Sequence, residues 1–178
     1  MFIIEIIASL FTLTSIYLTT KENILCWPTG IIGILFYAII FYNLNLLADL
    51  GLQSIFLVQS VFAWLNWNKK DNLKITYSKD RNALMGFTIL IYMIIFSITN
   101  NLNGNLPFLD SAVATLSIMG MFLLITKKVE SWIFWILSDI ILTSVFFLNE
   151  LYISGLLYLV FLGLAISGLI KWIKYEKI

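Results

Sequence analysis

Trp132, Trp135 and Asp139 stand at positions i, i+3 and i+7, so on a helix two indoles and a carboxylate share one face. Asp139 follows Glu130 by nine residues, which places it about midway through a spanning helix that starts there. An aromatic plane one turn from an acceptor can stack a flat ring and hydrogen-bond its substituents. An ionised Asp139 adds a counter-charge to the cation–π attraction of the indoles and favours a delocalised organic cation. A protonated Asp139 is a hydrogen-bond donor only. For Trp132 the plainer role is an anchor in the aromatic belt at the membrane boundary.

A second polar set lies earlier in the chain. At 100° per residue, Asn45, Asp49, Gln53, Phe56, Ser60 and Trp67 form one stripe, with Trp64 at its edge. Lipid cannot satisfy such a stripe, so it faces protein or water, either as hydrogen-bonding glue between helices or as ligand contacts. Gln53 sits roughly 12 Å into the span, near the midplane, and is open to both roles. Asp49 lies near the outer end, within reach of loop backbone, and leans structural, as does Glu5. Ser111, Thr115, Ser117 and Gly120 read as small packing residues, with Ser117 retained as a candidate substrate contact. Gly30, Gly33, Gly163 and Gly168 read as packing too, and Asp110, just after Pro107, as a helix cap.

The elements that carry these residues follow from composition. The chain has 178 residues, 61% hydrophobic and only 12% charged. A soluble domain is about half apolar and a quarter charged, so the bilayer is the solvent here. Seven spans of roughly 20 apolar residues are expected at 2–20, 24–42, 46–67, 84–99, 108–126, 131–148 and 151–173. The first lacks a basic start and a small-residue cleavage site and is expected to be retained.

The basic residues orient the bundle. They fall at Lys21, at Lys69, Lys70, Lys74, Lys79 and Arg81, at Lys127 and Lys128, and at Lys171, Lys174 and Lys177. These are the connections after spans 1, 3 and 5 and the tail after span 7. The connections at 42–45, 100–108 and 149–150 hold no Lys or Arg. The positive-inside rule then puts the N-terminus outside and the C-terminus in the cytoplasm.

Seven spans divide as three, one and three. An offset of 108 aligns Glu22 with Glu130, Trp27 with Trp135 and Trp64 with Trp172. A single linker helix gives both triple-helix units the same orientation, a parallel repeat of the kind that binds substrate near the midplane between its halves. The expected fold is an all-α integral membrane protein. Residues 1–68 form a first bundle, 69–107 a cytoplasmic loop with the linker helix, and 108–178 a second bundle with a basic tail.

Several chemistries are disfavoured. The chain has no His and one Cys, Cys26, which removes His-metal sites, haem and Ser-His or Cys-His nucleophiles. No Gly-rich phosphate loop with a lysine is present. Apart from Lys171 at the end of the last, the spans hold no basic partner for a phosphorylated cargo. An intramembrane aspartyl protease needs two carboxylates sharing a proton, and the contexts of Asp49 and Asp139 lack the flanking Tyr and Gly-x-Gly of such enzymes. The chain is therefore read as a non-enzyme with no cofactor, metal or nucleic-acid partner. A proton-coupled carrier stays open, because a deep Asp can serve as a relay.

Trp27-Pro28-Thr29-Gly30, Leu47-Ala48-Asp49-Leu50-Gly51-Leu52-Gln53 and Ala63-Trp64-Leu65-Asn66-Trp67 resemble the first half of the Pnu-type vitamin transporters. Pro107-Phe108-Leu109-Asp110-Ser111, the run from Lys127 to Asp139, and Leu151-Tyr152 through Tyr158 and Phe161 to Trp172 resemble the second half. The resemblance implies a three-one-three arrangement like that of the SWEET sugar transporters, a homotrimer, and uncoupled facilitated diffusion. It also implies trapping of the imported vitamin by a separate cytoplasmic kinase. The best-known branch carries nicotinamide riboside and binds it with Trp-x-x-Trp-x-x-x-Asn on the sixth helix and a glutamine on the third. That pattern falls on Trp132, Trp135 and Gln53. Asp139 departs from the common Asn, and Phe62-Ala63-Trp64 from the usual Tyr-Gly-Trp. Related branches carry thiamine or riboflavin. Nicotinamide riboside and thiamine are flat cations that suit Trp135 with Asp139, whereas riboflavin is neutral and larger.

Overall fold

A computed structural model describes residues 2–44, 46–67, 74–101 and 106–176. The protein is all-α, with seven helices among the described residues: α1 Phe2–Thr19, α2 Cys26–Asn43, α3 Leu47–Asn66, α4 Arg81–Asn101, α5 Pro107–Ile125, α6 Glu130–Leu148 and α7 Tyr152–Glu176. Each coincides with an expected span. α4 starts three residues earlier than hydropathy alone suggests, because the Asp80 carboxylate accepts the N–H of Ala83 at 2.9 Å and caps its first turn. Five helices, α2 and α4 to α7, are long and apolar enough to cross a membrane. The apolar stretch of α1, Ile3–Thr19, is shorter. α3 is long enough at 20 residues, but Asp49, Gln53, Gln59, Ser60 and Asn66 dilute its apolar character.

The chain divides into two compact units, Met1–Lys74 and Ile75–Ile178. In the first, α2 packs against both α1 and α3. In the second, α5 packs against α4 and α6, and α6 against α7. Outward faces carry large apolar side chains such as Val58, Phe62, Ile140 and Ile153, which suits lipid. Asn45, Lys69, Lys70 and Lys177 lie outside the described residues.

Local features of the two units match at a spacing of 105 residues. α1 closes with Glu22 N–H donating to Thr19 O and Asn23 N–H to Leu18 O; α5 closes with Lys127 N–H donating to Leu124 O and Lys128 N–H to Leu123 O. This paired pattern is the Schellman termination, with the residue after the cap in the left-handed region, φ 54° at Glu22 and 52° at Lys127. The first turns of α2 and α6 match as well, Trp27 N–H donating to Ile24 O and Trp132 N–H to Val129 O. Trp27 meets Trp67 edge to face at 4.9 Å between centroids, and Trp132 meets Trp172 in the same way at 5.5 Å. The offset of 108 is thereby corrected: Trp27 answers to Trp132 rather than Trp135, and Trp67 rather than Trp64 answers to Trp172.

The connection before α4 is more ordered than a basic loop suggests. Thr76 pairs with Lys128 in a parallel bridge, Thr76 N–H donating to Lys127 O and Val129 N–H to Thr76 O. The Lys128 ammonium adds a 2.7 Å hydrogen bond to Thr76 Oγ1. At the other end of α4, Thr99 and Ser111 share a hydrogen bond of 2.7 Å between their hydroxyls.

Candidate functional site

The middles of α5 and α6 hold the strongest candidate. Gly120 leaves room for an indole: a Cβ there would come within 3.2 Å of Cε2 and Nε1 of Trp135. One turn earlier, Ser117 and Ser138 share a buried hydrogen bond of 3.1 Å. Trp135, Ser138 and Asp139 stand at i, i+3 and i+4, so this packing fixes the height and rotation of Asp139. Asp139 is only 6% exposed. Among the described residues no hydrogen bond or ion pair reaches its carboxylate. Buried polar groups are nearly always satisfied, and a carboxylate is among the costliest to leave alone.

Asp139 has company. Among the described residues Thr143 Oγ1, one turn further along α6, is buried without a hydrogen-bond partner; so is Thr115 Oγ1 on α5, one turn after the Ser111 that bonds Thr99 of α4. Thr115 reads from sequence as simple packing, and Thr143 draws no attention there. Its signal was available: a hydroxyl four residues beyond a mid-span aspartate lies on the same face. On α6 the half-buried indole of Trp135, the carboxylate of Asp139 and the hydroxyl of Thr143 follow one another at i, i+4 and i+8 along one face, which suits a flat ligand with hydrogen-bonding substituents.

Trp132 belongs to a different environment. Its six-membered ring lies where a Cβ on Gly168 would come within 2.6 Å, and it stacks edge-on against Trp172. It is a packing centre of α6 against α7, and among the described residues its indole Nε1 has no partner. In the first unit, Gln53 is half-buried on α3 and Ser60 is buried one and a half to two turns further on. Asp49 is exposed in the first turn of α3, where a carboxylate suits the positive end of the helix dipole. Trp64 is 47% exposed, whereas Trp67 is buried against Trp27. Asp110 does not cap α5: Leu106 occupies the cap, no side chain closes it, and Asp110 sits exposed in the first turn.

The comparisons with known proteins agree with this framework. The nicotinamide riboside transporter PnuC of Escherichia coli (strain K12) is 25% identical over 206 aligned positions, covering 98% of this chain and 86% of its own length. The riboflavin/roseoflavin transporter RibM of Streptomyces davaonensis is 20% identical over 179 positions, covering 94% and 83%. The crystal structure of the vitamin B3 transporter PnuC superposes with a TM-score of 0.82 at 19% identity, over 98% of this chain and 82% of that one. That likeness establishes a shared fold. The profile of the nicotinamide mononucleotide transporter family matches residues 2–174, and the chain belongs to that family.

Proposed function

We propose that this protein carries a vitamin across the bacterial cytoplasmic membrane by facilitated diffusion, and that the vitamin is nicotinamide riboside. The observation that carries the reading is Asp139, a buried carboxylate without a partner among the described residues, one turn from an indole seated on Gly120. A pyridinium ring supplies both what the indole face attracts and what the carboxylate lacks. The family description speaks of the mononucleotide, but apart from Lys171, two residues from the end of the last, no Lys or Arg lies in the expected spans to neutralise a phosphate. The unphosphorylated riboside therefore fits better, in line with the substrate in the name of the Escherichia coli relative. Phosphorylation by a separate cytoplasmic kinase would trap it.

Trp135 and Asp139 are the principal proposed contacts. Ser117 supports them through Ser138, Trp132 holds the helix that presents them, and Gln53 is the contact assigned to α3 by the family pattern. Asp49 and Trp64, both exposed, are assigned lesser roles. The proposed architecture is three, one and three helices in parallel repeat, N-terminus outside and C-terminus cytoplasmic, assembled as a homotrimer. Thiamine is the second reading, favoured by a carboxylate at 139 in place of the usual amide. Riboflavin, neutral and larger, fits this patch less well.

Counterflow of labelled substrate in proteoliposomes tests the proposal. Nicotinamide riboside on both sides is expected to drive transient accumulation of label, and uptake without a gradient is expected to stop at equal concentrations. Absence of counterflow for both nicotinamide riboside and thiamine would remove the carrier reading. Asp139→Asn is expected to weaken cation binding about tenfold, the loss of one charge-assisted contact.

A further inference from the structure

The second unit contains a cavity of about 500 Å3 between the start of α4 and the start of α6, lined by none of Ser117, Trp135 or Asp139. Arg81, Met85 and Ile89 line it from α4 at i, i+4 and i+8, one helix face; Glu130, Ile133 and Phe134 line it from α6 at i, i+3 and i+4, again one face. Arg81 and Glu130 are the first residues of their helices, and the apolar side chains follow one to two turns later. The cavity is thus charged at one end and apolar along its length.

Glu130 is the informative group. It is 9% exposed, and its Oε1 accepts the backbone N–H of Ser78 at 2.8 Å. Its Oε2 is buried without a partner among the described residues. Among the described residues no ion pair joins it to Arg81. A buried carboxylate oxygen in this state calls for a donor, preferably a charged one. Arg81 lies exposed at the same mouth and calls for an anion.

We infer that this cavity binds a phospholipid with a zwitterionic, primary-ammonium headgroup. The ammonium brings three N–H donors to Glu130 Oε2, the phosphate lies against Arg81, and an acyl chain follows Met85, Ile89, Ile133 and Phe134. A choline headgroup has no N–H to donate. A glycerol headgroup has no positive charge, and its lipid adds a net negative charge beside Glu130. The inference depends on α4 and α6 crossing a bilayer and is independent of which vitamin is carried.

Native mass spectrometry of the purified full chain, incubated with an equimolar mixture of phosphatidylethanolamine, phosphatidylcholine and phosphatidylglycerol, tests it. Phosphatidylethanolamine adducts are expected to exceed the others about tenfold, the worth of one charge-assisted hydrogen bond. Glu130→Gln keeps an oxygen for Ser78 and is expected to abolish the preference over phosphatidylcholine. Met85→Trp fills the apolar part and is expected to reduce all three adducts. Equal adducts in the unaltered protein, or a preference that survives Glu130→Gln, would overturn the inference. Should Glu130→Gln fail to fold, undiminished phosphatidylethanolamine binding by Met85→Trp would overturn it alone. An oligomer that disperses in Met85→Trp while lipid adducts stay constant would assign the cavity to a second copy of the chain and overturn it equally.

Discussion

Set side by side at the 105-residue spacing, the two units share their turns and their tryptophan pairs and differ in the middle of one helix pair. In the first unit Ser15 occupies the space that a Cβ on Gly30 would enter, and its hydroxyl donates to Cys26 O at 2.7 Å. In the second unit the sizes are exchanged: Gly120 stands where Ser15 would, and Trp135 where Gly30 would. Thr12 lies against Gly33 in the first, while their counterparts Ser117 and Ser138 bond hydroxyl to hydroxyl in the second. Ile34 in the first unit corresponds to Asp139 in the second. One framework thus supports two interiors, one closed by small residues and self-satisfied hydroxyls, the other holding an aromatic plate and an unmatched charge. The comparison separates what holds each unit together internally from what one of them is equipped to do.

Four substitutions test that comparison. Giving the second unit the residue of the first, Asp139→Ile, is expected to lower substrate affinity about 100-fold or more, the range for removing a buried charged partner. Because a lone carboxylate is costly inside a membrane, the same variant is expected to melt no lower than the parent. A fall in melting temperature alongside lost transport would mean that Asp139 holds the fold together and that the asymmetry is structural. Gly168 offers a smaller effect. Its counterpart is Ala63, so the first unit already accommodates a methyl group where the second presses an indole ring. Gly168→Ala is expected to cost about 1–3 kcal/mol by overpacking, and Ala63→Gly only about 0.5–1 kcal/mol. Denaturant titration in mixed micelles measures both, and equal costs would dissolve the distinction between the two tryptophan pairs. The smallest effect is at Glu150, held at φ 60° after α6. Glu150→Gly is expected to stabilise by about 1 kcal/mol by relieving left-handed strain, with transport unchanged.

Much of the fold is legible in the chain because lipid imposes a long, simple apolar signal on every span. The ends of α4 are less legible, since its first turn is set by a polar cap at Asp80 rather than by hydrophobicity. The repeat register fails for a specific reason. Trp64 and Trp67 are three residues apart, and so are Trp132 and Trp135. A shift of three therefore still pairs tryptophan with tryptophan, and only the turn geometry and the ring contacts break the tie. On α6 the shared face of Trp132, Trp135 and Asp139 follows from helical spacing. That Trp132 spends its ring on Gly168 while Trp135 rests on Gly120 depends on how three helices slide past one another, which spacing within one helix does not contain. The Thr76 and Lys128 bridge is hidden likewise, as it pairs two connections 52 residues apart.

That bridge changes what kind of object α4 is. None of its residues is buried, yet it is fastened at both extremities, by Thr76 and Lys128 below its first turn and by Thr99 and Ser111 near its last. It behaves as a strut pinned at its ends. The stretch carrying Leu90, Met93, Ile94 and Ile98 faces outward, so the demand on those positions is oil solubility rather than shape. Many apolar sequences would serve there equally well, whereas the few polar residues at the two fastenings decide where the strut stands.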